Sequence, residues 1–179
     1  HRPAQLKGPN SLQLSKKYKL KKIKIEKIKS YKFDYILIGG SGLIKKKFIK
    51  KNIINCHSGL IPQSRGLDAF KWAIKNDRIV GNTLHFIDEK ADLGKIISHK
   101  ITPIFQKDTY KQFARRHYQN EINMLINFDK FITKPNILNK ILKKKNKPKL
   151  RMKNKDEIKM IKNFEKYKKM FNSLKLTKL

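Results

Sequence analysis

Asn55, His57 and Asp92 are the residues of this chain whose types and spacing invite chemistry. In an extended strand, positions i and i+2 share a face. Asn55 and His57 therefore converge on one reacting atom, while Cys56 points the other way. Asp92, in ADLGKII, brings a carboxylate from a second element. A carboxamide stabilises a developing oxyanion, an imidazole moves protons, and a carboxylate orients the imidazole. Together they form an acyl-transfer set. Each also has a bland alternative: a turn-forming Asn, a satisfied structural His, and a turn Asp before Leu-Gly.

Around these positions the hydrophobic pattern predicts the elements that must hold them. Tyr35 to Ile38 is a continuous apolar run, which fits a buried parallel strand. It ends in Gly39-Gly40-Ser41-Gly42, a glycine turn without the Lys-Ser/Thr ending of a phosphate loop. Residues 44–50 read as a short helical turn and 52–55 as a strand. Leu67 to Asn76 reads as a helix with Leu67, Phe70 and Ile74 inward. Strands are expected at 79–87 and 96–104. A helix capped by Asp108 and running to about Ile132 would bury Tyr110, Phe113, Ala114, His117, Ile122 and Leu125. Residues 1–18 read as a loop or arm, and 19–30 as a weak edge strand with outward lysines. Residues 136–149 read as a lysine-rich linker. A last amphipathic helix over 156–174 would bury Ile158, Ile161, Phe164, Phe171 and Leu174. Strands alternating with helices indicate an α/β domain with a mostly parallel sheet. Its site is expected at the carboxyl ends of the strands.

The motifs from Asp34 to about Ile104, more than a third of the chain, resemble the folate-dependent formyltransferases. Members carry Asn-x-His at a strand end, a Ser-Leu-Leu-Pro-like loop and an Arg-Gly or Pro-Gly turn. Here these are Asn55 and His57, then Ser58-Gly59-Leu60-Ile61-Pro62, then Arg65-Gly66. A helix (LDAFKWAIKN), a Thr-x-His strand (Thr83 and His85) and an Asp-x-Gly turn (Asp92-Leu93-Gly94) follow in the family's order. The resemblance implies a Rossmann-like sheet with flanking helices. This chain reads as lacking the usual opening strand-turn-helix and as adding a basic helical C-terminal tail. It also implies 10-formyltetrahydrofolate as co-substrate, no metal, and Asn55, His57 and Asp92 as catalytic residues. Folate would lie against Gly39, Gly40, Leu60, Ile61 and Pro62. The acceptor would meet Ser58, Arg65, Gly66, Thr83 and His85. For Arg65 a loop-stabilising role is an equal alternative, and for Thr83 and His85 core packing is. The implied acceptor is a primary amine on a small substrate, an amino sugar on a nucleotide being favoured. The ribonucleotide amine of purine synthesis is the alternative, and a formyltetrahydrofolate hydrolase or a basic nucleic-acid-binding protein are others. A methionyl-tRNA formyltransferase is disfavoured, because only about 75 residues follow Ile104.

Composition bounds these readings. The 179 residues suffice for one domain with a real core. Expected segments are a basic arm (1–33), a catalytic domain (34–133) and a lysine-rich linker with an amphipathic helix (134–179). No apolar run reaches membrane-spanning length and no secretory pattern opens the chain. The single cysteine, Cys56, excludes an internal disulfide and fits a reducing cytoplasm. A start at His1 rather than Met reads as a fragment or a processed product. Net charge is +32, with +10 in residues 1–33 and +14 in residues 134–179. Such flanks predict salt-dependent, unspecific adhesion to polyanions. A lysine-rich compositional bias on exposed positions is the favoured explanation, since neither flank shows a nucleic-acid-binding signature.

Overall fold

The computed structural model describes residues 8–40, 44–49, 52–138, 142 and 145–172. Among these described residues four strands form one sheet in the order β1-β2-β3-β4: β1 (Ile36–Ile38), β2 (Ile53–His57), β3 (Gly81–Phe86) and β4 (Ile96–Ile101). β1 and β2 are parallel, as expected, with Ile38 beside Asn55. The other two pairings are antiparallel, so the sheet is mixed where a mostly parallel one was expected. Chain length supplies a reason. Residues 87–95 join β3 to β4, and so short a return suits an antiparallel neighbour, whereas a parallel crossover needs a dozen residues or more.

Among the described residues there are six helices: α1 (Ser11–Lys17), α2 (Ala69–Lys75), α3 (Tyr110–Ile126), α4 (Phe128–Thr133), α5 (Asn154–Lys162) and α6 (Phe164–Met170). α1 replaces the expected arm. Asn10 and Gln13 form a reciprocal capping box there, each side chain accepting the other's backbone N–H at 2.9 and 2.8 Å. The expected edge strand over 19–30 is instead a 3-10 turn at Ile25–Ser30. Thr109, not Asp108, caps α3, again through a capping box, with Gln112. Asp108 serves the Arg116 guanidinium, at 2.6 and 2.8 Å, and the Phe105 N–H. The Arg116 guanidinium and the Phe105 N–H hold its carboxyl below the usual carboxylate range, against the opposing effect of burial.

Two apolar clusters hold the layers together. One face of the sheet, through Ile54, Cys56, Leu84 and Ile97, packs on Met124 of α3 and the aromatic residues of α4. The other cluster joins Phe70, Ala73 and Ile74 of α2 to Phe113 and Ala114 of α3. Met160, Phe164 and Tyr167 of α5 and α6 complete it. The expected last helix is thus two helices broken at Asn163, and its inward register differs. Met160, Phe164 and Tyr167 are buried, at an i, i+4, i+7 spacing, while Ile158 and Ile161 are exposed. α3 keeps the expected inward face through Phe113, Ala114 and His117 and departs from it only near its end, with Met124 buried and Ile122 exposed. Ser41, Gly42 and Leu174, like part of the expected linker, lie outside the described residues.

The described part of the linker is a structural strap. Lys149 bridges Gly66: its N–H donates to the Arg65 carbonyl at 2.9 Å, and its carbonyl accepts from Leu67 N–H at 2.8 Å. The Trp72 indole N–H donates to the Leu150 carbonyl, and Met152 N–H donates to the Asp68 carboxylate.

Candidate active site

The face of β2 opposite the apolar cluster carries Asn55 and His57, and β3 places its own polar side chains directly across the ladder. Asn55 pairs with His85 and His57 with Thr83. Strand alternation thus brings four polar side chains to one face, as the i, i+2 spacing requires. Cys56 points into the core at 4% exposure, and burial pushes its thiol far up. It is no nucleophile.

Asp92 arrives from the turn after β3, at a left-handed φ of 53°. Its Oδ1 lies 3.4 Å from His57 Nδ1, and its Oδ2 accepts the Gly66 N–H at 2.7 Å. His57 Nε2 donates to the Ser64 carbonyl at 2.9 Å. The imidazole is therefore held at both nitrogens, with Nδ1 facing the Asp92 carboxylate. Gly59 makes this possible. A Cβ there would sit 2.5 Å from the Ser64 oxygen and 2.9 Å from His57 Nε2. Arg65 is 7% exposed and donates to the carbonyls of Ala91, Asp92 and Asn146 at 2.6, 3.0 and 3.0 Å. Of its two expected roles, the structure displays the loop-stabilising one, since it fastens the Asp92 turn to the strap.

These residues border a cavity of about 520 Å³. Asn55, His57, Asp92, Ser58, Gly66 and His85 line it, and so does Gly40. Leu60, Ile61 and Pro62 do not. Leu60 and Ile61 are interior, at 1% and 2% exposure. Thr83 lies beneath the cavity, donating to the Gly59 carbonyl at 2.8 Å and accepting from Ile61 N–H at 3.0 Å. Gly39 and Arg65 are likewise outside the lining. The apolar wall comes instead from Ile38, Ile44, Ile49 and Ile87. Among the described residues no group of three or more His, Cys, Asp or Glu is arranged to hold a metal, and no helix is long and apolar enough to cross a membrane.

Sequence reasoning missed Glu121 and Leu150, both of which line the cavity. Glu121 had a signal: it follows His117 by one helical turn on the buried face of α3, where a carboxylate breaks the apolar pattern. Leu150 had none, because the strap is placed by long-range backbone pairing.

A sequence profile of the formyl transferase family matches residues 3–128. The chain is 30% identical over 99 residues to phosphoribosylglycinamide formyltransferase of Haemophilus influenzae, covering 52% of this chain and 47% of that protein. It is 40% identical over 68 residues to trifunctional purine biosynthetic protein adenosine-3 of Chironomus tentans, covering 37% of this chain and 5% of that protein. The chain thus spans less than half the length of these relatives. Its fold is similar to that of the formyltransferase PseJ from Anoxybacillus kamchatkensis, with a TM-score of 0.56 and 21% identity over 85% of this chain and 86% of that one. The PseJ structure holds UDP-4,6-dideoxy-4-formamido-L-AltNAc and tetrahydrofolate. With the profile spanning more than half of its residues, this chain belongs to the formyl transferase family.

Proposed function

We propose that this chain transfers a formyl group from 10-formyltetrahydrofolate to a primary amine of a small acceptor. The observation that carries the reading is the convergence of Asn55, His57 and Asp92 on one cavity. The cavity suits a flat, partly apolar co-substrate: isoleucines form one wall, and the backbone from Ile87 to Asp92 edges it. Folate supplies an activated formyl group. The acceptor nitrogen forms a bond to the formyl carbon, and the bond from that carbon to folate N10 breaks. The amine loses a proton and N10 gains one.

The chain's own groups serve these steps. An Asn55 N–H donates to the oxyanion, a contribution of about 10²–10³ in rate for one such donor. His57 carries the moving proton at Nδ1, since its Nε2–H is held by Ser64. The amine's proton passes to the His57–Asp92 pair and from that pair to N10, and the Gly66 N–H keeps the second Asp92 oxygen in place. Proton transfer of this kind contributes about 10²–10⁴.

For the acceptor we favour an amino sugar on a nucleotide, from the pattern Arg65-Gly66-Leu67 followed by FKWAI. A phosphoribosyl amine is the second reading, supported by the likeness of the NTLHFIDEKADLGKII stretch and by the Haemophilus influenzae relative. The test is a panel of acceptors with mass detection of the formylated product. Formylation of the amino-sugar nucleotide alone supports the first reading. Formylation of the phosphoribosyl amine replaces it with the second. Formate release that ignores every amine assigns a hydrolase.

A further inference from the structure

His85 faces Asn55 across the β2–β3 ladder, and its ring is held from two sides. His85 Nδ1 lies 3.0 Å from the Phe86 carbonyl oxygen, and Nε2 lies 3.3 Å from Asn55 Nδ2. A carbonyl oxygen only accepts, so Nδ1 carries the ring proton and Nε2 is left as a bare acceptor. Nε2 must then receive an N–H. That requirement decides which end of the Asn55 carboxamide faces His85, because the opposite orientation would set two lone pairs against each other. A carboxamide nitrogen bears two N–H groups. With one on His85, the second is free for the cavity that Asn55 and His85 both line.

Two independent features agree. The β3–β4 register shifts between Leu84 and His85. Such irregularities beside active sites re-aim a side chain. Burial, and then the neighbouring His57, push the His85 imidazole down to about 4 against the opposing pull of Asp92 and Asp88. The ring is therefore a neutral acceptor at physiological pH.

We propose that His85 is a positioning residue: its bare Nε2 fixes the Asn55 carboxamide so that an N–H, not the carbonyl oxygen, meets the oxyanion. The effect on rate rests on the formyl-transfer reading, whereas the hydrogen-bond relay does not.

Two arms test it on the full chain. The first is ¹⁵N NMR of the histidine rings, with His85 assigned by its loss in His85→Gln. A protonated Nδ1 and bare Nε2 are expected. A ring protonated at Nε2 overturns the proposal, whether or not the chain turns over. The second is a kinetic cycle of Asn55→Ala, His85→Leu and the double variant. Loss of the acceptor in His85→Leu should lower kcat about 10- to 100-fold with the folate KM within about twofold. His85→Gln, whose Oε1 can accept the same N–H, should recover most of that loss. The double variant should be no slower than Asn55→Ala, because His85 acts through Asn55. Losses that multiply, a change in KM alone, or a Gln variant as slow as the Leu variant each overturn it. Absence of any formyl transfer by the unmodified chain would sink the functional reading instead, and the NMR arm would still decide the relay.

Discussion

His85 and His99 are buried rings that each use one nitrogen as donor and the other as acceptor. His99 Nε2 donates to the Ile61 carbonyl at 2.9 Å, and its Nδ1 accepts the Leu138 N–H at 3.1 Å. A second proton on either ring would break one of these bonds. Burial holds both below the ordinary histidine range, His85 at about 4. The unfolded chain therefore takes up these protons first, near pH 6.5. Stability is fully present above that pH and declines as pH falls toward 4. His85 alone accounts for about 3 kcal/mol of the decline. We expect the thermal midpoint to drop between pH 6.5 and 4.5, and to drop less in His85→Gln. A flat midpoint over that window would contradict this account. The convergence of Asn55, His57 and Asp92 was legible at this scale because the residues sit in short motifs. The relay through His85 was not, since the partner of Asn55 is set by strand register across thirty residues.

At the scale of elements, the Asp92 carboxylate is held by the strap as much as by its own turn. Gly66 has a φ of 87°, donates to Asp92, and lies so close to Lys149 that a Cβ would collide with the Lys149 backbone. Gly66→Ala should cost about 2 kcal/mol or more, from left-handed strain and from separation of the strap. Urea denaturation measures it, and a loss under about 0.5 kcal/mol would show that the strap gives way freely. Asp108→Ala should cost about 2–3 kcal/mol, because it strands the Arg116 guanidinium and the Phe105 N–H. Denaturation of that variant beside Arg116→Ala checks the assignment. Both element types and approximate spans were readable from periodicity for β1 to β4, α2 and α3. The inward face of α3 was readable through Phe113, Ala114 and His117, whereas that of α5 and α6 was not, because aromatic contacts among Phe113, Phe164 and Tyr167 choose it. The pairing of Lys149 with Arg65 and Leu67 was not legible, because a run of lysines carries no signal of backbone pairing.

For the whole molecule, the charge of +32 and the formyl transferase fold make separable predictions. Retention on a polyanion resin should weaken steeply with added salt and be unchanged by His57→Ala, since exposed lysines are responsible. Charge reversal at Lys145, Lys147 and Lys153 should weaken retention, and unaltered retention would place the binding elsewhere. The central claim is the reaction itself. Single-turnover release of tetrahydrofolate from 10-formyltetrahydrofolate, with and without the amine acceptor, should be compared with His57→Ala. The account predicts amine-dependent release that slows about 10²–10⁴-fold in the variant. Release of equal rate in both proteins would contradict it.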